Sequence, residues 1–153
     1  MKGLFLAATF LTLTGFQAVN AASDTANATA TVTAAIAIAN VDDLEFGAAV
    51  QGDALKVVAT GDTEAAEFTV TGQASTAYTI TLPATATMIT AGGGSADTEI
   101  VVSSFTSLPA AGANGMLDAG GSQTLLVGGQ RAALSATQTA GAYTTTFTVD
   151  VVY

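Results

Sequence analysis

Residues 140–153, AGAYTTTFTVDVVY, alternate in character along their length. Tyr143, Thr145, Phe147, Val149, Val151 and Tyr153 share one parity, while Thr144, Thr146, Thr148 and Asp150 share the other. A period of two marks a half-buried β-strand, because successive side chains of a strand point to opposite faces. The same period recurs upstream. AAEFTVTG aligns Ala66, Phe68 and Val70, and TAYTITLP aligns Tyr78, Ile80 and Leu82 before Pro83 ends the run. DDLEFGA puts Leu44 with Phe46, and ALKVVAT puts Leu55, Val57 and Ala59 together with Lys56 outward. Helical periodicity is almost absent beyond the N-terminal region, so this chain must fold by stacking sheets.

Between these runs stand clusters of Gly, Asp, Asn and Pro, which supply turns. ATMIT and TEIVVSSF flank AGGGSAD and read as a hairpin with a glycine-rich tip. A phosphate-cradling loop would need a Lys and a following helix, and neither is there. SLPAAGANGMLDAGG reads as a turn-rich connection, and SQTLLVGG and QRAALSA as two strands with Gly128 and Gly129 at the corner. Eight or nine short strands predict an all-β sandwich of Greek-key type. Uneven turn spacing disfavours a closed barrel.

Charge and composition remove several classes of function. Twelve acidic residues against three basic ones give a net charge of −9. Beyond Lys2 the only basic side chains are Lys56 and Arg131, so neither nucleic acid nor anionic lipid is an expected partner. There is no Cys, so the fold holds by packing and pairing alone, and no His, the commonest general base and metal ligand. Two acidic clusters, Asp42/Asp43/Glu45 and Asp62/Glu64/Glu67, lack the alternating carboxylates and turn glycine of a calcium loop and read as solvated faces. No Ser sits in a nucleophile motif, and no carboxylate pair stands out from the rest. No catalytic residue, metal ligand or cofactor is therefore expected. Asn27 opens an Asn-Ala-Thr sequon, a motif common by chance. The abundant Thr suits strands and shows no regular spacing of the kind an ice-binding array needs.

The chain's ends are more informative. Lys2, an apolar run from Leu4 to about Leu13 and small residues before Ala22 read as a signal peptide over 1–21, cut after Ala21 or Ala22. Thr9, Thr12, Thr14, Gly15 and Gln17 interrupt the run too early for a membrane-spanning helix, and no later stretch would insert in a membrane. The overall mean hydropathy of +0.52 comes from Ala, Val and Ile dispersed among Thr and Gly. Behind the signal lies NATATVTAAIAIAN, residues 27–40, with Ala30, Val32, Ala34, Ile36 and Ile38 on its even positions. Fully extended, residues 28–39 would span about 40 Å, roughly double a sandwich strand. Either a leading segment precedes the domain's own first strand, or one long strand bends between both sheets. A leading strand free of its own domain would add to the sheet edge of another copy.

In order along the chain stand ATATV (28–32), LEFG (44–47), FTVTG (68–72), YTITLP (78–83), LDAGGSQTLLVGG (117–129) and AGAYTTTFTVDVVY (140–153). With these motifs the chain resembles a family of secreted bacterial β-sandwich proteins catalogued as a domain of unknown function. That family is in turn similar to the archaic, spore-coat-U-like chaperone–usher pilins, although those usually carry a disulfide. The resemblance implies an incomplete immunoglobulin-like sandwich over 34–153, completed by an N-terminal donor segment, 22–33, from a neighbouring subunit. Ala30, Val32 and Ala34 would be donor residues, with Ile36 and Ile38 in the domain's own first strand or continuing the donor. Phe147, Val149, Val151 and Tyr153 would border the acceptor groove and, before assembly, a periplasmic chaperone. Partners would be neighbouring copies in a homopolymer, with a chaperone and an outer-membrane usher in assembly. The expected product is an extracellular surface filament for adhesion or biofilm. The alternative is a self-complete exported sandwich, a coat or binding module that does not polymerise.

Overall fold

The computed structural model describes residues 21–90 and 92–153. The expected signal peptide, 1–21, lies outside the described residues except for Ala21. The chain divides into two units between Thr31 and Val32. In the first, residues 21–31 are exposed and carry no regular secondary structure. The second has nine strands and, among the described residues, no helix.

The strands are β1 (Ala37–Asp42), β2 (Lys56–Val58), β3 (Ala66–Thr71), β4 (Ala77–Thr81), β5 (Thr85–Ile89), β6 (Glu99–Leu108), β7 (Gly112–Met116), β8 (Ser122–Arg131) and β9 (Asp150–Val152). They form two antiparallel sheets. The larger runs β1-β3-β8-β6-β5, with β2 also against β8, and the smaller runs β7-β4-β9. β8 organises the larger sheet. Its first six residues pair with β3, from Ser122↔Thr71 to Val127↔Ala66, and its last three pair with β2. The chain changes sheets at β3/β4, β4/β5, β6/β7, β7/β8 and β8/β9, as a Greek-key sandwich does.

The two-residue period explains the core. Ala66 and Val70 of β3, Tyr78 and Ile80 of β4, and Leu125 and Val127 of β8 are buried, and Leu117 and Val149 join them from outside the strands. A second cluster, Phe46, Val58, Ala65 and Val102, lies under the part of the larger sheet where β2 meets β8.

Three expectations need correction. In β2, Val58 is buried while Leu55 and Val57 are more than half exposed, so the face is inverted. The adjacent valines left the local alternation undecided, and pairing with β8 settled it. Gly128 and Gly129 form no corner: β8 runs straight through both. They are small because the chain crosses closely there. A Cβ on Gly128 would strike the Val58 carbonyl, and one on Gly129 would press on Leu44 and Phe105. Finally, the turn-rich connection contains β7, paired with β4, where a Cβ on Gly115 would run into the Tyr78 ring. Small residues make this strand invisible to a hydrophobic pattern.

Candidate functional site

The smaller sheet has three strands and covers only part of the larger. Where it stops, the inner face of the larger sheet is left under a groove of about 1200 Å³. Its apolar lining includes Phe68, Met88, Val102, Phe105 and Phe147. Phe147 stands edge-on to Phe68 at 6.2 Å and tilted against Phe105 at 5.0 Å, so three aromatic rings from three parts of the chain meet here. The groove reaches from Arg131 to Phe68, which pairs with Leu125 of β8. At roughly 3.3 Å per residue this is about 20 Å along β8.

Two stretches of chain outside the strands also line the groove, 43–51 and 138–147. The first is held by the Glu45 N–H on the Glu64 carbonyl at 2.9 Å and by the buried Phe46. Gly47, at φ +66°, turns the chain beyond it. The second is anchored at its start by Gln138, whose Nε2 donates to the carbonyls of Asp97 and Glu99 at 3.0 and 3.2 Å. The Tyr143 hydroxyl lies on the Asp97 and Thr139 carbonyls at 2.9 and 2.7 Å. Thr144 makes a two-way bridge to Ile89. From there the chain runs unpaired until Asp150 enters β9. Among the described residues, the backbone of Thr145–Val149 has no ladder partner. An apolar floor flanked by unladdered chain is a geometry that accepts a further strand, which supplies main-chain hydrogen bonds to the rim and side chains to the floor.

Arg131 lies at one end of the groove, 4% exposed. Its Nη1 and Nη2 donate to the carbonyls of Ala132 and Ala54 at 3.1 and 3.0 Å, and its Nε is buried without a partner. The acidic residues Asp42, Asp43, Glu45, Asp62 and Glu64 are exposed and Glu67 is partly so. Among the described residues, no group of three His, Cys, Asp or Glu side chains is placed to hold a metal ion.

Residues 20–153 match the model of a protein family described as a domain of unknown function (DUF4402). The chain belongs to that family. No curated protein and no solved structure matches it.

Within this DUF4402 domain the residues singled out from the sequence fall in different places. Ala30 and Val32 are exposed, Val32 to 91%. Ala34 is exposed too, but its backbone is tied to its own sandwich: its N–H donates to Gln73 Oε1 at 3.3 Å and its carbonyl accepts the Tyr153 hydroxyl at 3.0 Å. Ile36 and Ile38 pack against the main core, Ile38 within β1 opposite Val70. Phe147 lines the groove, Val149 is buried in the core, and Val151 packs on it from β9. Tyr153 is absent from the groove lining and stands at the opposite end of the C-terminal segment, against Ala34. Sequence reading missed Phe105, Met88 and Arg131. Phe105 was hidden by a bulge: Ile100 and Val102 face inward on even positions, and an irregularity between Ser103 and Thr106, with Ser104 at φ +51°, transfers the inward face to odd ones.

Proposed function

We propose that this protein is a structural subunit of an extracellular filament, assembled when the leading segment of one copy inserts as a strand into the groove of the next. The observation that carries this reading is the groove itself: an apolar floor of three phenylalanines, bordered by chain without ladder partners. The three rings are only partly buried in the single copy, so a strand laid over them would remove further apolar surface from water.

The occupant is supplied by the same chain. Residues 22–33 are exposed and outside any strand, and from Thr25 onward they alternate Thr or Asn with Ala or Val. Ala30 and Val32 share one face of such a strand and would be the pegs. Ala34, hydrogen-bonded to its own domain, suits the point where the segment departs. The segment departs beside the Ser122 end of β8, while the groove extends from Phe68 to the Arg131 end. Ser122 is paired with Thr71, next to the Gly72–Gln73 region that holds Ala34, whereas Arg131 lies at the groove. Because the donor segment and the acceptor groove are different surfaces, their contact is heterologous and propagates as an open head-to-tail chain. Export, a periplasmic chaperone, an usher and a role in adhesion or biofilm belong to the same proposal and follow from the pilin resemblance.

The competing reading, a self-complete exported sandwich, has one observation behind it. Ala66, Val70, Leu125 and Val127 are fully buried with no second copy present. One experiment separates the two. Polymers completed by an inserted strand are kinetically stable, so unheated surface extracts should show an SDS-resistant ladder that collapses to one band on boiling. Deleting residues 22–33 should abolish the ladder while leaving an exported, folded chain. A full-length protein that purifies as a monomer, with residues 22–33 protected from hydrogen exchange, would refute the filament.

A further inference from the structure

We propose that Tyr153 and Gln73 form a clasp that fixes the direction in which the leading segment leaves its own subunit, and thereby the angle between successive subunits. This positioning role rests on the donor-strand reading above. The clasp holds both backbone groups of one residue. The Tyr153 hydroxyl accepts the Gln73 N–H at 2.5 Å and donates to the Ala34 carbonyl at 3.0 Å, while Gln73 Oε1 accepts the Ala34 N–H at 3.3 Å. Three separate parts of the chain meet there: the residue after β9, the turn after β3 and the approach to β1. Gly72 makes room for it, since a Cβ at that position would collide with the Tyr153 hydroxyl and press on Leu117.

Among the described residues, no other hydrogen bond fixes the chain at this point. Thr33, Ala34 and Ala35 are all exposed, and the first side chain to reach the core is Ile36. Without the clasp, the residues between Val32 and Ile36 would pivot freely, because small exposed residues without packing or hydrogen bonds place little restraint on the backbone. With it, the donor segment starts from a defined residue in a defined direction. A joint with so little slack converts head-to-tail insertion into a filament of fixed geometry. The clasp bonds are solvent-exposed, so water replaces them when they are cut, and the sandwich itself loses little. That separates a positioning role from a role in stability.

The test uses full-length protein in three forms: wild type, Tyr153→Phe and Gln73→Ala. Hydrogen exchange at the Ala34 amide reads the clasp, and electron microscopy of sheared filaments reads the joint. Loss of one net hydrogen bond should raise Ala34 exchange roughly two- to tenfold in each variant. Filaments should still form, with a shorter persistence length than wild type, while the melting temperature of the single chain hardly moves. Faster Ala34 exchange with filaments as straight as wild type would overturn the positioning role, and so would unchanged exchange. If Tyr153→Phe fails to be exported, Gln73→Ala alone decides, since it removes an acceptor without touching the C-terminal strand. Absence of filaments from the wild type would bring down the donor-strand reading, and the clasp's role with it. Wild-type filaments with unaltered variants would bring down the clasp alone.

Discussion

Val149 is the position at which a single substitution best tests the register of the C-terminal segment. It is 7% exposed and packs with Val70, Tyr78, Ile80, Leu117 and Leu125, while its neighbour Thr148 is exposed. Val149→Asp removes an apolar burial worth about 1.5–2 kcal/mol. Arg131 is held by the carbonyls of Ala54 and Ala132, and no basic residue belongs to this cluster, so the new carboxyl has no cation to meet. It must therefore stay neutral, and holding a carboxyl of ordinary pKa near 3.9 protonated at pH 7 costs about 4 kcal/mol. The sum of about 6 kcal/mol is comparable to the whole stability of a typical domain, roughly 5–15 kcal/mol. The sign of the pH effect follows: a carboxyl whose folded-state pKa is raised is tolerated at low pH and destabilises as pH rises above its unfolded value. Val149→Asp should therefore be unfolded or barely folded at pH 7 and recover most of those 4 kcal/mol, relative to wild type, near pH 4. Val149→Thr, a milder change at the same position, supplies a measurable step of about 1–3 kcal/mol from the buried hydroxyl. With a urea m-value of roughly 1–3 kcal/mol/M, this moves the unfolding midpoint by about 1 M, readable by circular dichroism. Thr148→Asp should stay within about 0.5 kcal/mol of wild type. If Thr148→Asp proves the more damaging of the pair, the segment is turned by one residue and the inward face of the chain at the groove is misassigned.

Tyr78 is 2% exposed, its hydroxyl donates to Gln123 Oε1 at 2.8 Å, and burial raises its pKa above the usual 10.0. The neutral phenol is thus favoured in the folded state, and its contribution, complete below pH 10, is lost as pH rises above that value. Alkaline unfolding followed by circular dichroism should be shallower in Tyr78→Phe, which itself loses about 0.5–1.5 kcal/mol at neutral pH. Equal alkaline sensitivity in the two proteins would assign the transition to another group. Gly128→Ala drives a methyl into the Val58 carbonyl and the Ala59–Thr60 backbone and should lower stability by about 1–3 kcal/mol in urea unfolding. A neutral result would mean that β2 is free to lift away from β8.

Much of the sandwich was legible because its strands are half buried and alternate cleanly. Phe68 and Val70, or Tyr78 and Ile80, carry their inward face in the local pattern, and the buried face follows from that period alone. The pattern failed where backbone geometry or pairing, not side-chain character, decided the outcome. Val57 and Val58 look alike to any local rule, and only the ladder to Gln130 and Gly129 says which one points inward. Gly128 and Gly129 resemble a turn until the crossing chain at Val58 is known. The groove was half legible. Phe147 was found by alternation and Phe46 by its motif, but Phe105 lies beyond a bulge that reverses the parity of β6. Arg131 gave no signal at all, because nothing in a strand's period foretells a buried guanidinium held by main-chain carbonyls.

The two ends of this molecule differ in how far their layers cover each other, and the C-terminal segment joins them. Beside β7-β4-β9 the larger sheet faces a full second layer, and Val70, Tyr78, Ile80 and Leu125 are sealed without help. Beside Arg131 it faces two loop stretches and open groove. A chain without cysteine has no disulfide to hold such a half-covered layer together, so the end beside Arg131 relies on the hydrogen bonds of Gln138 and Tyr143 and on the cluster of three phenylalanines. Residues 144–153 pass from the Ile89 bridge, along the groove at Phe147, through the core at Val149, to the hydroxyl that holds Ala34. Under the donor-strand reading, the stretch that receives a neighbour's strand and the residue that aims the subunit's own strand are thus ends of one short segment. Its middle, Thr145–Val149, has no ladder partner among the described residues, and under that reading a strand laid along the groove would supply one.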